Sequence, residues 1–428
     1  MIKFPLSNRD GKLFIEEVSA LRLAEEYDTP LYVMSETRIR ENYRRLSSTM
    51  ISHYPKTRIL YAAKANTNIS ILKILRSEGA LLDTVSPGEV FTAFKAGFKS
   101  GEMLYTGTSV RDDELEYLLK SKVMINVDSL SQLHRILNIE APKMLSFRIN
   151  PRAGAGHHKH VITAGAKAKF GLWEDEALEA YKRAREKGVE KFGIQMHIGS
   201  GILDPTPFLK GIERFFKILG KVSQRVGINF EFIDLGGGLG VPYRPEEKEM
   251  EIEHFSDEVT RRFKQGVKKF GLGEPELWIE PGRYLVADAG VLLTRINTLK
   301  SNPIRKFAGV DAGFNILIRP VLYGAYHHIL VANKLDEEPT EIYDIVGPIC
   351  ESGDALARDR RLPILSEMDL VAVLNAGAYG FSMCSNYNSR PRPAEVLVKK
   401  DEHALIRAKE SFEDLLQSQR IPYWLRDG

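Results

Sequence analysis

Between Arg58 and Glu280 the chain repeats one rhythm: a short apolar run, a helical pattern, then another apolar run. The runs are Arg58–Lys64, Leu81–Val85, Met103–Thr106, Val123–Val127, Met144–Ile149, Phe192–Ile198, Phe230–Leu235 and Leu277–Glu280. Helical patterns lie between them, among them Ile69–Gly79, Asp112–Ser121 and Glu174–Gly188. The last is acidic at its start, basic at its end and stopped by Gly188, as helix termini prefer. Strands alternating with helices imply a parallel sheet covered on both faces. Eight such units predict a closed (β/α)8 barrel of the TIM type, with an open doubly wound sheet as the alternative. After Arg283 the rhythm changes to successive strand-like runs: Val291–Leu299, Phe307–Val310, Ile329–Ala332, Ile342–Val346, Leu370–Leu374, Val396–Lys399 and Ala404–Arg407. These predict a second, mainly β domain, with a helical pattern at Phe412–Gln419. Lys12–Ile15 has strand character and is expected to join it. The predicted division is 35–283 for the barrel and 1–34 with 284–428 for the β domain.

Composition narrows the class. The 428 residues are 43% hydrophobic and 27% charged, near the globular average, which excludes disordered and fibrous classes. Lys+Arg is 60 against Asp+Glu 57, a net charge of +3, too small to argue for nucleic acid or a membrane surface. Two cysteines, Cys350 and Cys384, give no disulfide framework. No run reaches the roughly 18 apolar residues of a spanning helix, and Met1–Asp10 lacks the apolar core of a signal peptide. The expectation is a soluble, cytoplasmic, core-forming chain.

Active sites of such barrels lie at the C-terminal ends of the strands, so the polar residues there matter most. The first strand ends Tyr61-Ala62-Ala63-Lys64. A lysine there reads either as a solvated strand end or as an amine freed for nucleophilic work by desolvation. The sixth ends Met196-His197-Ile198-Gly199-Ser200, a histidine that stacks on a flat ring, titrates, or merely packs, and a serine able to bond a phosphate oxygen. The seventh ends Asp234-Leu235-Gly236-Gly237-Gly238, and the eighth Glu280-Pro281-Gly282-Arg283. Glycines at these two places suit the phosphate nest of this fold. An amine nucleophile, a phosphate nest, a ring stacker and a buried carboxylate together describe a pyridoxal 5'-phosphate site, with Glu280 holding the pyridine nitrogen protonated.

The motifs Tyr61–Asn66, Asp83–Glu89, Arg148–Pro151, His197–Gly201, Gly236–Gly238, Glu280–Arg283, Arg319–His327, Gly347–Asp354 and Gly377–Gly380 span nearly the whole chain in order. With them the chain resembles the barrel-type (fold type III) pyridoxal-phosphate decarboxylases. The resemblance is strongest to the branch acting on meso-diaminopimelate, which implies release of carbon dioxide to give L-lysine, the last step of lysine biosynthesis. It implies Lys64 as the Schiff-base lysine and His197 as the ring stacker. It implies Ser200, Gly236, Gly237, Gly238, Gly282 and Tyr379 as the grip on phosphate and cofactor, and Glu280 as the partner of the ring nitrogen. Arg283, Arg319, Tyr323, Glu351 and Tyr379 match substrate positions. Cys350 matches a thiol near the substrate carbon that arrives from the other subunit of a homodimer. Pro87, Ala168 and the stretch Tyr105–Ser109 depart from the family's usual residues.

Related decarboxylases of ornithine, arginine or carboxynorspermidine are the near alternatives. A barrel-type racemase would place arginine, not Glu280, at the ring nitrogen. A non-catalytic cofactor carrier would have no use for the roughly 145 residues after Arg283. His157, His158 and His160 lie in a glycine-flanked stretch expected to be a loop over the barrel mouth; no metal is expected. Cys384 is expected to be a buried structural thiol.

Overall fold

The computed structural model describes residues 2–152, 164–165 and 168–426. The loop expected around His157–His160 lies outside them. Two compact units form: one comprises Met1–Thr37, Tyr243–Pro245 and Asp288–Gly428, the other Arg38–Pro242 and Glu246–Ala287.

The second unit is a closed barrel of eight parallel strands: Thr57–Ala62, Leu81–Thr84, Met103–Tyr105, Met124–Val127, Met144–Ile149, Lys191–Met196, Phe232–Asp234 and Glu276–Ile279. The eighth pairs with the first, Ile279 opposite Ile59, so the open-sheet alternative is excluded. Most strand residues are buried, because helices cover the outer face while side chains fill the interior. On the outer face Tyr181 of helix Glu174–Glu186 packs against Phe147 and Phe192. Helix Thr206–Val226 turns Phe208, Ile212, Phe215, Leu219 and Val222 toward the barrel at the three- and four-residue spacing of an amphipathic helix. Gly227, in the left-handed region, ends it. Inside, Phe232 and Trp278 stack with ring centroids 3.6 Å apart and planes 2° from parallel. With Leu60 and Leu104 they form an apolar plug toward the N-terminal ends of the strands.

In the first unit the strand Gly290–Ser301 organises the main sheet. It pairs antiparallel with Leu31–Ser35, Lys306–Val310 and Leu370–Val373. Leu31–Ser35 in turn pairs parallel with Ala394–Lys399. Two apolar cores form, one around Ile296, Val310 and Ile345, the other around Val33, Leu293 and Val396. Lys12–Ile15 lies in this unit as expected, in a separate three-stranded sheet with Leu6–Arg9 and Val18–Ser19.

Candidate active site

The strand ends of the barrel bring Lys64, His197, Ser200, Gly236–Gly238, Glu280, Gly282 and Arg283 into the same unit. Lys64 sits in a single 3-10 turn, Ala63–Ala65, directly after the first strand. Its Nζ donates to Asp83 Oδ2 at 2.6 Å; Asp83 is buried and lies at the second strand's end. The lysine is therefore ion-paired, which neither of the two readings open from the sequence included, and Asp83 orients it. Ser86 caps the helix Pro87–Ala96 by accepting from Glu89 N–H. Glu89 reaches back to accept from Val85 N–H at 2.7 Å. Burial pushes the Glu89 carboxyl up to about 7, while that backbone bond and Lys64 pull the other way.

His197 accepts from Gly237 N–H on Nδ1 at 3.1 Å, which leaves the ring proton on Nε2. Burial, with the charges of Arg148 and Lys64, holds the ring well below the ordinary histidine range, so it is neutral. Its Nδ1 lies 4.0 Å from Glu280 Oε2. Glu280 is only 4% exposed. Gln195 Nε2 donates to its Oε2 at 3.0 Å, while Oε1 has no donor among the described residues. Burial first, and the neighbouring Asp234 and Asp83 carboxyls next, push Glu280 well above the usual carboxylate range. Asp234 is fully buried and pushed up to about 7 by the same burial. Arg148, buried on the fifth strand, feels the charges of Asp128, Glu280, Asp83 and Asp234. It stacks over Phe170 with Cζ 4.5 Å from the ring centre.

The Gly236–Gly238 turn runs close against its neighbours. A Cβ on Gly237 would land on the Glu280 carbonyl oxygen, and one on Gly236 on the Met196 carbonyl oxygen. Gly236 and Gly238 also have φ of +72° and +116°. Gly282 has less absolute need, with Ala62 Cβ 3.1 Å from its would-be Cβ. Arg283 is buried and its Nη2 donates to Ser200 Oγ at 3.3 Å. A bare-backbone cradle beside a buried carboxyl with a donor-less oxygen fits a phosphorylated, nitrogen-containing ring. Among the described residues no group of three or more His, Cys, Asp or Glu is arranged to hold a metal ion.

The other expected positions belong to the first unit. Arg319 is 1% exposed; its Nη1 donates to His327 Nε2 at 2.7 Å, and its Cζ lies 4.6 Å from the centre of the Tyr243 ring. His327 Nδ1 donates to Leu374 O at 2.8 Å, which fixes the tautomer. Tyr323 closes the short helix Arg319–Tyr323. Tyr379 is half-buried in the left-handed region at φ +56°, uncommon for an aromatic residue. Cys350 and Glu351 are exposed on one loop. Asn388 Oδ1 accepts from Cys350 N–H at 3.1 Å, and Glu351 accepts from Tyr387 O–H at 2.5 Å. Cys384 is the opposite kind of thiol. Its Sγ donates to Ile316 O at 2.9 Å, and burial pushes it up to about 12.

Asp83, Glu89, Asp234, Gln195, Tyr243 and His327 were not singled out from the sequence. Asp83, Glu89 and His327 sit inside quoted motifs, and Asp234 ends a strand, so a signal existed. Tyr243 and Gln195 gave none.

Residues 37–287 match the family described as pyridoxal-dependent decarboxylase, pyridoxal binding domain. The chain is also 54% identical over 417 residues to a diaminopimelate decarboxylase of Methanothermobacter thermautotrophicus, covering 97% of each chain. The chain belongs to the pyridoxal-dependent decarboxylases. Within that family it is 41% identical to a diaminopimelate decarboxylase of Archaeoglobus fulgidus, covering 98% of this chain and 99% of that one. The crystal structure of diaminopimelate decarboxylase from M. jannaschii in co-complex with L-lysine superposes with a TM-score of 0.92 at 35% identity, covering 100% of both chains. The chain is thus an enzyme of the decarboxylase class, with the barrel and β-rich units of its family. Among the described residues no helix is long and apolar enough to cross a membrane.

Proposed function

We propose that this enzyme converts meso-2,6-diaminopimelate to L-lysine and carbon dioxide, with pyridoxal 5'-phosphate at the barrel mouth. The substrate is supported by whole-length similarity to enzymes of that name and by the lysine complex of a relative. The observation that carries the decarboxylase reading is the buried Glu280 carboxyl with a donor-less oxygen, in the same electrostatic cluster as Lys64. Bound there, the cofactor supplies an electron-withdrawing ring that accepts the electron pair left when a carboxylate departs.

In this reading the chain's own groups divide the work. Lys64 is the attachment amine, and Asp83 orients it and would pair with its ammonium while it is detached. His197, neutral, offers its ring face as a wall. The amide groups of Gly236–Gly238 and Gly282, the Ser200 hydroxyl and Tyr379 hold phosphate. Glu280 faces the ring nitrogen as an anion and keeps a proton there. Arg283, Arg319 and Tyr323 take the carboxylate at the substrate's far end and Glu351 its ammonium. Arg319 is preorganised for this, because His327 and Tyr243 fix its plane. Cys350 gives a proton to the carbon that has lost its carboxylate. It does so for the partner's site in a homodimer, a reading supported by its exposure on the surface loop. A cytoplasmic setting agrees with the two free thiols.

Carbon dioxide release from meso-diaminopimelate, lysine, ornithine and arginine, measured side by side, tests the proposal. A buried arginine left without its carboxylate is costly, so substrates lacking that group should be rejected by roughly 10³-fold in kcat/KM. Arg319→Ala should raise KM for diaminopimelate and narrow the gap. Equal kcat/KM on ornithine and diaminopimelate would sink the reading.

A further inference from the structure

Asp234 and Glu280 face the barrel interior from adjacent strands. The register places Asp234 opposite Trp278, and Glu280 follows two residues later, on the same side of its strand as Trp278. Each carboxyl is buried and has one oxygen engaged. Asp234 Oδ1 accepts from Gly236 N–H at 2.8 Å, and Glu280 Oε2 accepts from Gln195 Nε2 at 3.0 Å. Each has a second oxygen, Asp234 Oδ2 and Glu280 Oε1, buried with no other donor among the described residues. The two side chains are neighbours in one buried cluster, and each shifts the other's proton affinity. Two ionised carboxylates in that position repel, whereas one shared proton turns the contact into a strong charge-assisted bond.

We propose that, with the ring bound, Asp234 is a positioning residue that stays protonated at neutral pH and donates to the Glu280 carboxylate, so that the pair carries one negative charge, held on Glu280. The charged and titratable neighbours favour this. Lys64 and Arg148 are the cations of the cluster; Asp83 and Asp128 add negative charge, and His197 is neutral. Asp83 and Asp128 already offset the two cations, so a second anion in the pair would stand uncompensated. A cationic ring nitrogen on the Glu280 side, required by the proposed function on which this inference rests, draws the anion to Glu280 and leaves the proton on Asp234. Proton affinity is raised at both groups; in the free chain Glu280 is the donor and Asp234 the acceptor, and the cationic ring is what moves the proton to Asp234. Without a donor at Asp234, a lone buried Glu280 would itself take up the proton and lose its hold on the ring.

The test uses infrared difference spectra of the cofactor-loaded, substrate-free enzyme between acid and alkaline pH. They read the pair without reference to any substrate. A buried protonated-carboxyl band should be present in the native protein and vanish as pH rises above neutrality. Asp234→Asn should abolish that band, while Glu89→Gln, removing another raised carboxyl outside the pair, should leave it. In the loaded enzyme Asp234→Leu should lower kcat about a hundredfold, as expected when a preorganised charge is lost. Asp234→Asn, whose amide still donates to Glu280 and still accepts from Gly236, should recover at least tenfold of that. It should also lack any alkaline fall in kcat due to this pair. A band that survives Asp234→Asn, or an Asn variant as poor as the Leu variant, would overturn the proposal. A native band with no turnover of diaminopimelate would instead condemn the proposed substrate and leave the pair standing.

Discussion

At the level of single residues, charge is placed where water is scarce and each charged group is answered by another. Lys64 is answered by Asp83, Glu280 by Gln195, and Arg319 by His327 and Tyr243. Removing the amine is the sharpest probe. Lys64→Ala should fold, yet show neither the visible absorbance of covalently held cofactor nor turnover; a variant that keeps both would remove Lys64 from its role. Glu280→Gln preserves shape without charge, so cofactor binding should persist while kcat drops by roughly 10²-fold, about 3 kcal/mol of transition-state stabilisation. A pH effect on stability follows from the raised Asp234. Its folded value near 7 lies above the usual carboxylate value, so the folded chain binds more protons than the unfolded chain across that interval. The contribution to stability is therefore full at low pH and is lost as pH rises toward about 7. Melting of the cofactor-free protein from pH 5 to 8 should show a shallower decline in Asp234→Asn than in the native chain; identical slopes would contradict it.

Among elements, the barrel strands were legible because helices and strands alternate with different hydrophobic periods, and each strand is short and apolar. Leu31–Ser35 escaped notice although all five residues are buried, since a short apolar run has no period to read. Ala355–Leu362 escaped for the opposite reason. It ends the main sheet's strand order and carries Arg358, Asp359, Arg360 and Arg361, a solvated edge that hides the strand pattern. In the site, Lys64, His197 and Glu280 stood out because strand ends can be located from sequence. The Asp234–Glu280 contact did not, because it depends on the register between two strands, which no local pattern encodes. The seventh-strand turn is the element most sensitive to a single atom. Gly237→Ala drives a methyl group into the Glu280 carbonyl. The expected cost is about 2 kcal/mol or more of stability, together with weakened cofactor binding. Denaturant midpoints and cofactor titration would measure both, and an unperturbed variant would mean the turn yields more easily than its geometry suggests.

For the whole molecule, the proposed homodimer makes a numerical claim. Chains carrying Lys64→Ala and chains carrying Cys350→Ala should each be inactive alone. If Cys350 serves the partner's site, random exchange should restore about a quarter of native activity, from the mixed dimers in which one site keeps both groups. No recovery after proven exchange would place both residues in the same chain's site. The barrel itself imposes a different kind of order. Phe232 and Trp278, stacked beneath the carboxyl pair and flanked by Leu60 and Leu104, stopper one end of it. Gly193 has no side chain because the Phe232 ring occupies that space. The barrel is therefore a blind well. In the proposed reading, substrate, product and liberated gas all pass the same lip. Emptying the well and refilling it are, in that reading, one traffic problem.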